Sequence, residues 1–520
     1  MEVMKSNLHM LETGKSVSKE KVLESEVNLE QSKPDLGQVY LPKAKMVVEE
    51  LQPLEQTVLL RGYVQYRILY FTKEEDGKLV GLEGRIPVEE SLALADISRL
   101  DELYSDVLME DFSVLIVNPR KLVMRLAMQI KVWSEEIKDA FVSTDIKGDE
   151  GVEKKICPVE TASLFCCKRD MLKIRREVPL PEQYPEIDQT LWSNMGLEEF
   201  TERCEDGIVK LSGRLRLQFL YQGMDLENGI GVTEFDTTVG ISEVVECLGC
   251  RSGMIPCCSY HLENETISIL PNKEGEQRVL LLEASLCLRL KVYEICQVQS
   301  LCNAYGTQKE LQVNKYTQEI PRLIRKITGR QNLEKKVTTS VGAGKQEMLQ
   351  LLCYDGQLYP LACERQEETL LLRGFLEITV LLVMDEDEQP FFQEKISLPY
   401  EYRMEVDSLC TGSQVDMESH LEGLHVEVAQ NGILDIHATS CFTAIITEKQ
   451  CLEQIEDITE APIPKEVLEN LPDMMILRVG EGEDLWSIGK KYYVTVEELC
   501  KQNHLESPEV SVGQKLMLLR

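Results

Sequence analysis

TVLLRGYVQYRILYF, residues 57–71, alternates apolar and polar side chains around a single glycine, Gly62. Val64, Tyr66, Ile68 and Tyr70 fall on one face, and Gln65 and Arg67 on the other. A period of two marks a half-buried strand, with one side on a core and one in water. The pattern returns twice. IVKLSGRLRLQFLYQ starts at Ile208 and ETLLLRGFLEITVLLV at Glu368. Their glycines, Gly213 and Gly374, lie 151 (62 to 213) and 161 (213 to 374) residues further on. The apolar face is repeated as Leu215, Leu217, Phe219 and Tyr221, then as Leu376, Ile378, Val380 and Leu382. A spacing of that length is a domain repeat, not a solenoid. A glycine inside each strand points to a bulge or a close backbone approach.

Each strand runs into a polar turn, KEEDGK, DLENGIG or DEDEQP, and then into a second stretch, VGLEGRIPV, TEFDTTVGI or QEKISLPY. That is the grammar of a hairpin. A second strong run follows in every copy: KLVMRLAMQIKVW, RVLLLEASLCLRLKVY and GILDIHATSCFTAII. The expected fold is mostly β, with three related antiparallel, sandwich-like domains; the alternation alone leaves sandwich or closed barrel open. Between copies the texture changes. IDQTLWSNMGLEEF (187–200) and EIPRLIRKITGRQNLEKKV (319–337) have the spacing of amphipathic helices, and TTSVGAG (338–344) reads as a flexible connector. The expected division is a partly flexible segment 1–33, β-domains at 34–155, 156–310 and 311–460, a proline-containing spacer 461–473 and a terminal module 474–520.

The bulk composition narrows the function classes. The 520 residues exceed one ordinary core, and 43% hydrophobic content excludes a disordered chain. A net charge of −33 disfavours nucleic acid and anionic lipid, and basic protein surfaces are the natural complement. The start, MEVMKSNLHMLETGKSVSKEKVLESEV, lacks the apolar core of a signal peptide, and no run suits a transmembrane helix. Seventeen scattered cysteines, an odd number, suit free thiols in a reducing compartment better than a disulfide framework.

The last residues carry a compact β-α-α-β grammar. MMILRV reads as a strand and GEGED as a turn, in which Asp484 caps a helix beginning at Leu485. Leu485, Ile488 and Tyr492 share one helical face. Thr495 and Glu498 form a capping box for VEELCKQN, and QKLMLL returns as a strand. Gly482, Leu485, Trp486, Ile488, Tyr492, Thr495, Leu499, Asn503, Leu505, Gly513, Gln514 and Leu516 match the pattern GDTLWxIAxxY…TVxxLxxxNxL…PGQxL, so the stretch resembles a LysM domain. The resemblance implies a groove for N-acetylglucosamine chains, lined by Gly482, Glu483, Asp484 and Leu485 on one side and His504, Leu505 and Pro508 on the other. The usual Asp-Thr pair is replaced by Glu483-Asp484, with Glu481 alongside, and three carboxylates suit a Lys- or Arg-bearing protein surface better than an uncharged sugar. Tyr493 stands where the family often ends its first helix with Gly, at a cost of about 1 kcal/mol.

VNLEQSKPDLGQVY (27–40), the tripled LLRG-type strands and the terminal module together resemble the SipL family of clostridial spore-coat morphogenesis proteins, with the repeats similar to SPOCS domains. The resemblance implies a non-enzymatic scaffold in the mother-cell cytoplasm at the forespore surface. Its implied partners are a SpoIVA-like coat ATPase and other coat proteins, and the alternative is a peptidoglycan (N-acetylglucosamine) binder of the spore envelope. Signals for other chemistry are weak. Cys247, Cys250, Cys257 and Cys258 invite zinc, but the adjacent pair suits one tetrahedron poorly, and buried free thiols are expected. His420 and His425 in HLEGLH are five apart with Gly423 between them, unlike HExxH. GAGK (342–345) lacks the first glycine of a phosphate loop, and MDEDEQP reads as a solvated hairpin tip. No catalytic residue, cofactor or metal site is expected.

Overall fold

The computed structural model describes residues 1–519 apart from 74–76, 95–101, 149, 225–230, 341–349, 385–389, 408, 410, 411, 430, 431 and 473. The middles of the polar turns (74–76, 225–230 and 385–389), the end of the connector 338–344 and all of GAGK therefore lie outside the described residues.

Three units repeat one six-stranded plan, and the chain is 79% strand and 4% helix. The first unit holds β1 (Glu2–Asn28), β2 (Leu36–Pro53), β3 (Thr57–Thr72), β4 (Leu79–Ala93), β5 (Glu102–Asn118) and β6 (Lys121–Lys147). The second holds β7 (Val152–Pro179), β8 (Ile187–Glu205), β9 (Ile208–Gly223), β10 (Val232–Glu246), β11 (Ile255–Pro271) and β12 (Gln277–Gly306). The third holds β13 (Lys309–Thr338), β14 (Gln350–Gln366), β15 (Thr369–Val383), β16 (Phe391–Glu405), β17 (Gln414–Ala429) and β18 (Ile433–Pro462). In every unit the sixth strand lies between the first and fifth, and the third between the second and fourth, all antiparallel. The two three-stranded sheets pack face to face: Val64, Tyr66 and Ile68 of β3 share one core with Leu122, Met124, Leu126 and Met128 of β6. The units are therefore sandwiches.

The shared glycine has the expected cause. Gly62 pairs with Val48, and the next pair, Arg61 with Glu50, skips a residue of β2. The same single skip lies at Gly374 between Pro360 and Ala362, and at Gly213 two residues of β8, between Glu198 and Thr201, face the one glycine. A bulge pushes the edge strand against the central one, and a Cβ at Gly62 or Gly374 would overlap the carbonyl oxygen of Val47 or Tyr359.

Three expectations fail, each for a physical reason. Residues 187–200 and 319–337 are the strands β8 and β13, not helices. Bulges at Thr190/Trp192 and Glu198/Thr201, and at Pro321/Leu323, each insert a residue and shift the inward face, which mimics helical spacing. Residues 2–28, expected to belong to a partly flexible tail, form β1 and pair with β6 almost throughout. Its polar composition hides a strand whose order comes from its apolar partner. His9 is held there, its Nδ1 2.7 Å from Asp139 Oδ1.

The units surround a common pseudo-threefold axis. Tyr40, Leu191 and Leu352 occupy equivalent positions, as do Leu41, Trp192 and Cys353, and Leu69, Leu220 and Leu381; all nine form one buried cluster. Beside it Lys43, Asn194 and Asp355, again equivalent, meet: Lys43 Nζ lies 2.9 Å from both Asn194 Oδ1 and Asp355 Oδ1, and Asn194 Nδ2 donates to Asp355 at 3.2 Å. The units abut cyclically through their fourth and second strands. Tyr40 Oη donates to the Phe391 carbonyl (3.2 Å) and Leu41 N to Gln393 Oε1 (2.6 Å).

Elsewhere the first and sixth strands outrun their sandwiches. Residues 136–147, 294–306 and 448–462 pair only with β1, β7 and β13, making three two-stranded ribbons. One such ribbon alone is marginal in water. Here the three meet along Ile146, Leu301, Ala304, Ile455 and Ile458 to form a stalk. Ser143 Oγ donates to the Ile455 carbonyl (2.7 Å) and Thr161 Oγ1 to that of Pro321 (2.7 Å).

Candidate binding module

After β18 a short helix, α1 (Lys465–Asn470), leads to β19 (Met474–Arg478), α2 (Leu485–Tyr492), α3 (Val496–Gln502) and β20 (Lys515–Leu519). β19 and β20 pair antiparallel, and Val479, Leu485, Ile488, Val494, Leu499, Leu516 and Leu518 fill a small core. The caps are those the residues imply. Asp484 accepts from Ser487 N at 2.8 Å, and Thr495 Oγ1 from Glu498 N at 3.1 Å, each in a reciprocal box. Tyr493 closes α2 in the left-handed region at φ 59°, where glycine would be unstrained.

The residues expected to line a groove divide. Gly482, Glu483, Asp484, His504 and Pro508 are exposed on the two loops, and Leu505 is half-buried. Leu485 is 1% exposed and turned into the core, because it is the first inward residue of α2, so it supports its loop rather than lining it. The carboxylates are also partly committed. Glu483 Oε2 accepts from Gly480 N at 2.8 Å, pinning the loop. Asp484 caps α2 and lies 3.5 Å from Lys155. Partial burial pushes the Asp484 carboxyl up, but bonds from Ser487 and Lys155 outweigh it and hold it below the usual carboxylate range.

The module is seated on the stalk. Tyr305, near the end of β12, donates through Oη to the Val494 carbonyl at 2.8 Å and meets Trp486 edge-on at 4.8 Å between ring centroids. Lys490 Nζ reaches Asn303 Oδ1 at 3.4 Å. Sequence reasoning missed this joint, though one signal exists. Where the family pattern has Ala the chain has Gly489, and a Cβ there would overlap Tyr305 Oη and the Val494 carbonyl. Glu153 of β7 faces the same joint; burial raises its pKa first, and Glu497 and Glu498 of α3 add to the rise.

The remaining sequence candidates are dispersed. Cys257 and Cys258 alternate across β11 into different cores, Cys257 with Ala162 and Tyr293, Cys258 with Cys247 and Cys250. The four sulfurs therefore do not converge. Burial pushes the Cys257 thiol to about 12. His420 packs near Tyr260 Oη (3.4 Å), while His425 Nε2 lies 2.9 Å from Glu427. A cleft of about 450 Å³ between the second and third units is floored by Arg216. That guanidinium is already spent on Asp236 (2.6 Å), Tyr354 Oη (2.6 Å) and the Leu424 carbonyl (2.6 Å). Among the described residues no helix is long and apolar enough to cross a membrane.

Comparison with protein families matches residues 35–117 to the SPOCS domain of SipL and residues 477–518 to the LysM domain. The chain thus carries a SPOCS domain and a LysM domain, and the SPOCS match spans β2 to β5 of the first unit. No curated protein and no solved structure matches.

Proposed function

We propose that the chain is a non-catalytic scaffold of spore-envelope assembly. It would tether coat basement-layer proteins, including a SpoIVA-like ATPase, to the forespore surface. The observation that carries this reading is the seating of the LysM module: Tyr305 fixes it to the stalk while Gly482, Glu483, Asp484, His504 and Pro508 stay exposed. A rigid body with three related units and one oriented module offers several separate faces, and contacts on one chain add by effective concentration. Deleting residues 474–520 leaves β1 to β18 intact, because the module has its own core. The expected outcome is a folded protein that no longer reaches the forespore in sporulating cells; normal localisation of that truncation would refute the role.

A second reading has its own support. Glu483 and Asp484 are engaged inside the module, which weakens the electrostatic objection to an uncharged acetamido sugar. On that reading the full chain sediments with purified cortex peptidoglycan and the truncation does not. On the scaffold reading a partner protein, not glycan, retains the chain, and Glu481→Lys weakens that retention.

A further inference from the structure

One outward position recurs in all three units with different chemistry. In the second unit His261 of β11 lies directly across from Cys287 of β12, and Glu263, two residues on, shares its face. His261 Nε2 is 2.8 Å from Glu263 Oε1, and one donor atom from each of the three residues lies within 4.8 Å of the others. In the third unit the same letters stand in the same places: His420 faces Cys441, with Glu422 beside them, again within 4.8 Å. The first unit has Leu108 across from Gln129, with Glu110, and so no comparable donor set.

The two His-Glu-Cys sets differ in what neutralises them. On the other flank of Cys441 stands Arg330 of β13. Its guanidinium forks onto Glu422, Nε to Oε2 at 2.5 Å and Nη2 to Oε1 at 2.8 Å, so a cation already fills that site. The partner of Cys287 on β7 is Met171, which carries no charge. The nearby cations of the first unit are directed elsewhere. Lys45 bonds the Leu262 carbonyl and Glu265, and Arg67 Nη2 the Glu265 carbonyl at 3.1 Å. These bonds hold the strand in place and leave the Glu263 carboxylate with His261.

We propose that His261, Glu263 and Cys287 form a binding site for one zinc-class divalent ion at the seam between the first and second units, in the position that Arg330 occupies in the third. Mixed imidazole, carboxylate and thiolate donors select borderline ions over magnesium or calcium, which prefer oxygen alone. Zinc takes N and O at about 2.0–2.2 Å and S at about 2.3 Å, so tetrahedral donors sit about 3–4 Å apart, a spacing that donors already within 4.8 Å of one another reach by side-chain shifts. The fourth position faces solvent, since the His261 side chain is 58% exposed, and water completes the tetrahedron. On binding, the Cys287 thiol gives its proton to solvent, and the neutral imidazole, whose Nε2–H donates to Glu263 before the ion arrives, shifts its proton to Nδ1 by exchange with water, so one proton is released per ion.

The test uses the full-length chain stripped of metal, with zinc measured by equilibrium dialysis and elemental analysis, and cobalt as a spectroscopic substitute. The expected result is one ion per chain and a thiolate-to-cobalt charge-transfer band. Cys287→Ser abolishes the band and weakens zinc binding by more than the roughly tenfold cost of losing an outer-shell partner. Cys441→Ser and Cys247→Ser leave both unchanged. Should Cys287→Ser fold poorly, His261→Gln gives the same loss of affinity with the thiolate band shifted or lost. No stoichiometric zinc, a signal that survives Cys287→Ser, or one removed by Cys441→Ser or Cys247→Ser would overturn the assignment.

Discussion

Two joints hold this molecule together, and they are built differently. At the axis each unit contributes matched apolar residues, such as Leu69, Leu220 and Leu381, and a complementary cation, amide and anion in Lys43, Asn194 and Asp355. At the stalk end a single tyrosine, with two lysine contacts, seats a module that has its own core. Burying a leucine stabilises by about 1.5–3 kcal/mol, so the axial joint makes three sandwiches one cooperative body. The stalk joint positions the module without making its folding depend on the rest. Position is conferred cheaply where separability is kept, and cooperativity comes only with shared burial.

The largest effect is expected at the axis. Leu220→Ala should cost about 2–5 kcal/mol, by lost burial and a cavity, and should lower the denaturant midpoint of all three units together. Loss confined to the second unit would argue that the units fold separately. The next effect is one of pH. Burial, aided by Asp236 and opposed by Arg216, pushes the Glu234 carboxyl up to about 7 from 4.5. Glu234 lies on β10 opposite Leu220, beside the axis. The folded state binds more protons than the unfolded between those values, so this contribution is complete below the unfolded pKa and is lost as pH rises through the folded one. The wild type should therefore lose about 2–3 kcal/mol relative to Glu234→Gln between about pH 5 and pH 8, read as a difference in thermal midpoints. Lys43→Met leaves Asp355 and Asn194 without their cation and should cost about 1–2 kcal/mol, recovered in part by Asp355→Leu on the same chain.

The stalk joint gives the smallest change in stability and the clearest change in arrangement. Gly489→Ala restores the residue usual in the family and should force the module off Tyr305, while its Cβ contact with the Val494 carbonyl offsets the gain of up to about 1 kcal/mol in helix propensity. Thermal unfolding of the units should not move. Trp486 fluorescence and proteolysis in 463–473 should both report release; a module still docked would show that Tyr305 does not govern the joint.

What the sequence reveals follows from the range of the interaction. The central strands β3, β9 and β15 are legible because alternation over many residues is a local property, and their glycines foretell bulges they themselves face. Bulges inside β8 and β13 disguise strands as helices, since each extra residue shifts the face. β1 is illegible alone because its order resides in β6. The axis leaves only a faint trace: Lys43, Asn194 and Asp355 keep the repeat spacing but share no chemistry, so complementarity hides the equivalence. In the module the caps are legible from Asp484, Thr495 and Glu498, which act within four residues. The seating is not, because it depends on Tyr305, whose only local sign is the missing methyl at Gly489.

Shared burial at the axis should give the three units one folding transition. Native-state hydrogen exchange across 57–71, 208–222 and 369–383 tests this most directly. Equal opening free energies in the three central strands, falling together in Leu220→Ala while 485–502 is unaffected, are the predicted result. Three different opening energies, with only the second strand responding to that substitution, would contradict it.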